Sequence, residues 1–442
     1  MTRRDDSRII RIVHPICCGL DVHKESVSAC IIFPDDKGEE QYDVKVFGTF
    51  TDDLMRLRDW LAEHNCPVVA MESTGVYWRP VHNVLEDSVD VVLANARDMH
   101  NVSGRKTDIG DSKWIAGLLR HGLLKSSFIP PQDVRQWRDL TRLRKKYVHT
   151  VGDYRKRTHK LFESANIKID SVVSDLFGVT GRNLMQLLVA DRKLTLSDIQ
   201  TCVRGKLKGK EAELFRSIQG FFTDHHRFVL KMILETIATL EVQIEALDLQ
   251  IRCAMKEHEA LLDRMKQAPG IADVASREIL AEIGPILDSF PKDTSLVAWC
   301  GLCPGNNESA GKRKSGRSPV RKNHLKTIMT EVAWAAIKKK DSYFKDKYYR
   351  LKARRGAKRA IVAIAHRILL GIYHVIKDGA DFRDLGGRLP DAQKQIAEGL
   401  SFTEASAFPG IRSGPSGGLM TMHRQDIHSG GRLRTEAHER VK

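Results

Sequence analysis

Four acidic residues stand where apolar segments end or where a helix opens. Asp21 lies in the first apolar run, CCGLDVHKESV, and Glu72 lies where the run PVVAM meets STG. Asp108 and Asp111 sit in KTDIGDSKW, at the mouth of a helical pattern. A carboxylate in an apolar strand is costly to bury unless it binds a cation or accepts several hydrogen bonds. In open α/β sheets, ligands gather at such strand ends. The i, i+3 spacing of Asp108 and Asp111 puts both on one face of the helix they enter, within reach of a shared ion. Taken singly, each has a plainer reading: a solvent-facing strand end for Asp21 and Glu72, and capping or dipole compensation for the Asp pair. Taken together, the four offer hard oxygen ligands suited to Mg²⁺. Two such ions roughly 3.5–4 Å apart can clamp the attacking and leaving oxygens of a phosphoryl transfer. Dinucleotide chemistry is excluded, because D-V-H-K follows the first strand where a Gly-rich loop would be needed.

The elements that must position these carboxylates read as an α/β domain. GLDVHKESVSACIIF has period-two segments on both sides of a polar turn, and YDVKVFGTF extends the series. DDLMRLRDWLAEHN then reads as an amphipathic helix, PVVAMEST as a buried strand and VYWRPVHNVLED as a second helix; VDVVLANA follows as a strand and DSKWIAGLLRHGLL as a third helix. Three strands, then helix, strand, helix, strand and helix, predict a mixed sheet covered by helices. An Asp on the first strand, a Glu at a later strand end and an Asp pair opening a helix is the arrangement of the RNase H-like nucleases. From about Gln132 a long helical region spaces Leu140, Leu143, Tyr147, Val151 and Tyr154 at three or four residues. Ile233, Ile237, Leu240, Ile244, Leu247 and Ile251 then form a heptad seam, which predicts a coiled coil within or between chains. QAPGIADVASREILAEIGPI follows, an apolar turn leading into a helix. It is either a helix-hairpin-helix element that offers backbone N–H groups to phosphate or an ordinary Gly-containing junction. The expected division is 9–130 for the sheet domain, 131–262 for the helical connector, 263–384 for a mostly helical unit and 385–442 for a Gly- and Ser-rich disordered tail.

Charge narrows the partners. The 442 residues hold 72 Lys and Arg against 56 Asp and Glu, a net charge of +16, and the isoelectric point is near 9.4. That balance points to a polyanion, most often nucleic acid. With 42% hydrophobic and 29% charged residues, the chain has the composition of a folded protein. The apolar stretch 360–376 is interrupted by His366, Arg367 and His374 and reads as a buried core helix rather than a membrane span. The opening MTRRDDSR develops no signal-peptide apolar region. The eight cysteines read as reduced, buried thiols, and the single C-x-x-C at Cys300 and Cys303 is a weak zinc signal because no second half is present. Two basic runs stand out. One carries Arg142, Arg144, Lys145, Lys146, Arg155, Lys156, Arg157 and Lys160, with Tyr147 and Tyr154 among them. The other, KKKDSYFKDKYYRLKARRGAKR, holds Lys338, Lys339, Lys340, Arg354 and Arg355 with Tyr343, Phe344, Tyr348 and Tyr349 interleaved. Such cations neutralise phosphates and such aromatics stack on unpaired bases; the plainer reading is solvated helix faces with core aromatics.

GLDVHKESV, MESTGVYWRPV, NARDMHNVSGRKTDIGDSKWIAGLL, PGIADVASREILAEIG and LVAWCGLCPGNNESAGKRKSG, in that order, strongly resemble the DEDD-type insertion-sequence transposases of the IS110 family, over about residues 15 to 380. The resemblance implies an α/β RNase H-like (RuvC-like) N-terminal domain, a long helical coiled-coil connector, and a mostly α C-terminal domain with a helix-hairpin-helix-like element and a nucleophilic serine. It puts the acidic tetrad on Asp21, Glu72, Asp108 and Asp111, as ligands of Mg²⁺, with two ions expected per site. The serine, in a Glu-Ser dipeptide after the G-L-x-P turn, falls on Ser309. Family members often follow that serine with Gly, whereas Ala310 precedes Gly311 here, and Ser315 and Ser318 lie close by. The basic loop around it, with Lys312, Arg313, Lys314 and Arg317, suits a scissile phosphate. No histidine lies beside the serine, so a hydrolase triad is unsupported. The resemblance further implies cutting and rejoining of double-stranded donor and target DNA, guidance by a structured non-coding bridge RNA, and homodimers that pair into tetramers. The implied setting is the prokaryotic cytoplasm at the nucleoid, without a membrane. The alternative is a RuvC-like structure-specific endonuclease that only hydrolyses DNA.

Overall fold

The computed structural model describes residues 11–73, 75–95, 110–190, 194–304, 307–309, 312–315 and 323–384. The expected tail 385–442, together with Asp108, Arg317 and Ser318, lies outside these described residues.

Strands β1 (Cys17–Val22), β2 (Ser26–Pro34) and β3 (Glu40–Gly48) form an antiparallel meander. Helix α1 (Thr51–Glu63) leads to β4 (Val68–Glu72), which runs parallel to β1; α2 (Trp78–Leu85) then leads to β5 (Asp90–Ala94), parallel to β4. The strand order is β3-β2-β1-β4-β5. Period-two alternation sorts the side chains onto two faces. Cys18, Leu20, Val69 and Met71 join Leu57, Leu61 and Leu85 in one core. Cys17, Val68 and Ala70 join Ile115, Ala116 and Leu119 of α3 (Asp111–Arg120) in the other. A mixed sheet covered by helices on both faces is consistent with an RNase H-like α/β domain, and its elements follow one another as the sequence pattern predicts.

Two long helices follow, α4 (Gln132–Ser164) and, after the short helices α5 (Ile169–Val172), α6 (Val179–Val189), α7 (Leu196–Cys202) and α8 (Glu211–Ser217), the 31-residue α9 (Asp224–Ala254). With 33 residues rising ~1.5 Å each, α4 spans about 50 Å. It pairs antiparallel with α9: Arg144 meets Asp248 and, further along α4, Arg155 meets Glu241. The heptad seam packs inside the chain. Ile233 and Ile237 are buried with Val151 and Phe162, Leu240 and Ile244 lie against that cluster, and Ile251 joins Trp137 in the next one. A two-chain coiled coil along the same residues would have to displace this core.

The C-terminal unit comprises α10 (Glu259–Lys266), α11 (Asp273–Ile283), α12 (Asp293–Cys300), the hairpin β6 (Asn307–Ser309) and β7 (Lys312–Ser315), α13 (His324–Ala336), α14 (Tyr343–Arg355) and α15 (Ala357–Lys377). The stretch read as either a helix-hairpin-helix-like element or an ordinary junction forms α10 and α11 joined by the turn 267–272, where Gly270 takes a φ of +85° against the backbone of α13. Helix α15 is long and apolar enough to cross a membrane by length and composition. Its Ile364, Ile368, Leu369 and Ile372 are buried in the C-terminal core, as the core-helix reading expects. Val134 and Trp137, in the first turns of α4, belong to that same core. The long helix therefore starts inside the C-terminal unit, not as a free spacer.

In the sheet domain the backbones of a helix and a strand come close together at Gly19. A methyl group there would overlap the backbone oxygen of Ser112 and the backbone nitrogen of Ala116, so α3 lies on β1 backbone to backbone. The Ser28 hydroxyl, opposite Asp21 in the β1–β2 register, lies 3.3 Å from that of Ser112, and the Cys17 thiol donates to the Ala116 carbonyl at 3.5 Å. Gly19→Ala should therefore lift the first turns of α3 and destabilise the domain by roughly 1–3 kcal/mol, the usual cost of overpacking. Thermal unfolding measures this; an unchanged Tm would show that α3 can move without cost.

Candidate functional site

Three of the four expected carboxylates come to one edge of the sheet. The β1–β4 register pairs Leu20 with Met71, so the residues that follow, Asp21 and Glu72, occupy neighbouring places at the carboxyl ends of parallel strands. Strand parity puts both on the face shared by Cys17, Gly19, Val68 and Ala70, the face that α3 covers. Asp111 is the first residue of α3, one position before the Ser112 that touches Gly19 and Ser28. The positive end of the α3 dipole thus lies beside the carboxylates. Asp21 is half-buried, and its Oδ2 lies 3.1 Å from Nε2 of the exposed His23. The sequence reading passed over His23, although i, i+2 spacing along an extended chain puts it on the same face as Asp21. Asp108 lies outside the described residues, and among those described no three His, Cys, Asp or Glu side chains gather closely enough to hold a metal ion. The C-x-x-C pair is no exception: burial pushes the Cys300 thiol up to about 12, which keeps it protonated.

Ser309 closes strand β6, where its backbone pairs with Lys312 of β7; Glu308 pairs with Arg313 and Asn307 with Ser315. The serine therefore stands at the turn of a two-stranded hairpin, with Lys312, Arg313 and Lys314 on the returning strand. Arg317 lies outside the described residues.

The first basic run splits into two groups. Arg142 donates two hydrogen bonds to Glu282, at 2.9 and 2.8 Å, and Arg138 bonds the backbone carbonyls of Ala281 and Glu282. Arg144 grips Asp248, Lys145 reaches Glu278 at 3.4 Å and Glu331 at 2.9 Å, and Arg155 shares Glu241 with Arg182. These cations tie α4 to α9, α11 and α13, and their charge is met within the chain. Burial holds the Glu278 carboxyl above its ordinary value, and Lys145 offsets only part of that rise. Lys146, Lys156, Arg157 and Lys160 remain on the surface, where Lys156 also meets Asp153. In the second run Lys338, Lys340, Arg354 and Arg355 are exposed, and Lys339 lies 3.6 Å from Asp384. Its aromatics also split: Phe344 and Tyr348 are core residues, whereas Tyr349 is exposed.

Comparison with known proteins gives two family matches. A transposase model, the DEDD type of IS110, matches residues 18–167, and the model of the IS116/IS110/IS902 transposase family matches residues 262–349. The mini-circle transposase assigned to IS117 in Streptomyces coelicolor is 23% identical over 359 residues, which cover 73% of this chain and 84% of that protein.

The Arg138, Arg142 and Glu282 clamp joins the two matched regions, with its cations in the first and its carboxylate in the second. The Glu282 side chain is only 4% exposed. Removing its charge would leave both guanidinium groups without their counter-charge and cost Arg142 one of its two hydrogen bonds, while Arg138 keeps its backbone carbonyls, at a cost of up to roughly 3–5 kcal/mol, the scale of a broken buried pair. Glu282→Gln should lose that much in urea unfolding, and Glu282→Gln with Arg142→Gln should lose less than the sum of the two single changes. Additive losses would show that the pair is not coupled.

Proposed function

Because the chain belongs to the IS110 family of transposases, we propose that it cuts DNA strands and rejoins them to new partners, with Asp21, Glu72, Asp108 and Asp111 holding divalent cations and Ser309 as the nucleophile. The observation that carries this reading is the shared sheet face of Asp21 and Glu72, with Asp111 opening the helix laid across it. The donor set is all oxygen, which fits hard cations such as Mg²⁺. When bound, such ions polarise the phosphoryl oxygens and stabilise the attacking and leaving oxygens. The chain's own part is to hold the carboxylates in place. Gly19 lets α3 approach, the helix dipole offsets carboxylate repulsion, and His23 restrains Asp21.

Ser309 would attack the scissile phosphorus. The bond from Ser Oγ to phosphorus forms as the bond from phosphorus to the sugar oxygen breaks, and the serine proton passes to the leaving oxygen. Attack by a different strand's hydroxyl on the phosphoserine reverses these changes, so the strands rejoin without net hydrolysis. Lys312, Arg313 and Lys314 follow Ser309 on the hairpin and would hold the phosphate. The family likeness, with the net charge of +16, supports a structured bridge RNA as guide and pairing of chains around the DNA.

With donor and target DNA, Mg²⁺ and the element's RNA, denaturing electrophoresis should show a covalent protein–DNA adduct. Asp21→Asn or chelation of Mg²⁺ should suppress cleavage at least about 10³-fold, the scale of losing a catalytic group. Ser309→Ala should remove the adduct. Free ends without an adduct would favour the endonuclease that only hydrolyses, and full cleavage by Asp21→Asn would overturn the tetrad.

Affinity for DNA should also fall with salt, by ~0.7–0.9 log units per log unit of salt for each phosphate contact. Replacing Lys338, Lys340, Arg354 and Arg355 by Gln should flatten that slope. An unchanged slope would return these residues to a solvated surface.

A further inference from the structure

Where α13 meets α14, three aromatic rings stand in contact. Tyr348, only 4% exposed, belongs to the C-terminal core. Its ring meets that of Trp334 edge-on at 5.9 Å and that of Tyr349 edge-on at 5.3 Å. Trp334 and Tyr349 remain 43% and 55% exposed. Single apolar side chains on a surface need no explanation. Here two large rings are each held edge-on against the same core ring while staying partly open to solvent.

The charges around the two rings are mostly positive, although Glu331 and Asp346 stand three residues before Trp334 and Tyr349 respectively. Lys352 Nζ lies 5.8 Å from the Tyr349 ring. Lys338 follows Trp334 by four residues and Lys345 precedes Tyr349 by four, one helical turn in each case. Asp346 is the only acidic residue in α14, against Lys345, Lys347, Arg350, Lys352, Arg354 and Arg355. On the flank of the same helix, burial holds Lys347 below its ordinary value, and Arg367, Arg350 and Arg354 add to the effect. Crowded cations of this kind suit a polyanion.

We propose that Trp334 and Tyr349 form a stacking platform for the unpaired bases of a DNA strand, with Lys338, Lys345 and Lys352 taking its phosphates. Every base has a face that can stack on such rings, so the platform reads the single-stranded state rather than a sequence. Paired bases in a duplex do not present those faces. DNA is the occupant because a strand-transfer enzyme must hold strands released from their complements. The proposal rests on the DNA reading above and adds a site apart from the carboxylates and the serine.

The test is fluorescence anisotropy on the full chain with labelled oligo-dT, oligo-U and a duplex, each of about 20 nucleotides or base pairs. Trp334→Ala and Tyr349→Ala should each weaken oligo-dT binding about 5- to 100-fold, the range for loss of one base–aromatic stack, and leave duplex binding within about twofold. Trp334→Phe should restore most of the loss, and an unchanged Tm should show that the variants fold. Wild-type affinity for oligo-dT in both Ala variants would overturn the platform, as would equal losses on all three probes. A loss confined to oligo-U would overturn DNA as the occupant. If the wild type bound none of the probes, the DNA reading itself would fall and the platform with it. If the wild type bound duplex and cut DNA while the Ala variants held oligo-dT normally, only the platform would fall.

Discussion

Helix α3 rests on strand β1 at Gly19 with no side chain between them, and the geometry of the candidate site depends on that contact. A helix packed on a sheet is normally held off by the side chains at the interface. Where the strand presents only hydrogen, the helix backbone descends until Ser112 meets Ser28 across the neighbouring strand. That descent brings the first turn of α3, and Asp111 with it, to the end of the sheet where Asp21 and Glu72 finish their strands. The carboxylates come from three separate elements, and one packing contact sets their relation.

A second constraint runs the length of α4. Arg135 bonds both oxygens of Glu86 on the segment after α2, at 2.9 and 2.7 Å, which fastens the start of the helix to the sheet domain. On either side of Arg135, Val134 and Trp137 enter the C-terminal core, and from the next turn on Arg138 and Arg142 hold Glu282 of α11. Further along, Val151 and Phe162 enter the middle core, while Arg144 and Arg155 hold α9. The helix is thus a shared beam between units that burial and ion pairs both attach to it. Such buried pairs add little net stability compared with apolar packing, but an unmatched partner is expensive. They therefore fix which surfaces meet.

The local periodicities of the sequence carried the strand and helix order, the buried character of α15 and the placing of Asp21 and Glu72 at strand ends, because each depends on residues close together in the chain. What it could not carry are contacts set by distant partners. Arg144 and Asp248 are 104 positions apart, and Arg142 and Glu282 are 140 apart, so a run that reads as a nucleic-acid face in sequence is half clamp in the structure. The second basic run shows the same limit. Tyr348 and Tyr349 are indistinguishable in composition, yet one is core and the other exposed, and Trp334 comes into play only because α13 folds against α14. The heptad seam was legible as a stripe, but its partner was not: α4 of the same chain covers it.

We propose that β1, β4 and the start of α3 together surround a divalent cation site. Replacing Mg²⁺ by Fe²⁺ in the presence of ascorbate and peroxide generates hydroxyl radicals at the bound ion, which cut the nearest backbone. Cuts should then fall at three separate stretches, around Asp21, around Glu72 and at the opening of α3 by Asp111, all lost together in Asp21→Asn. Cuts confined to one of these stretches, or centred on Cys300 and Cys303, would contradict it.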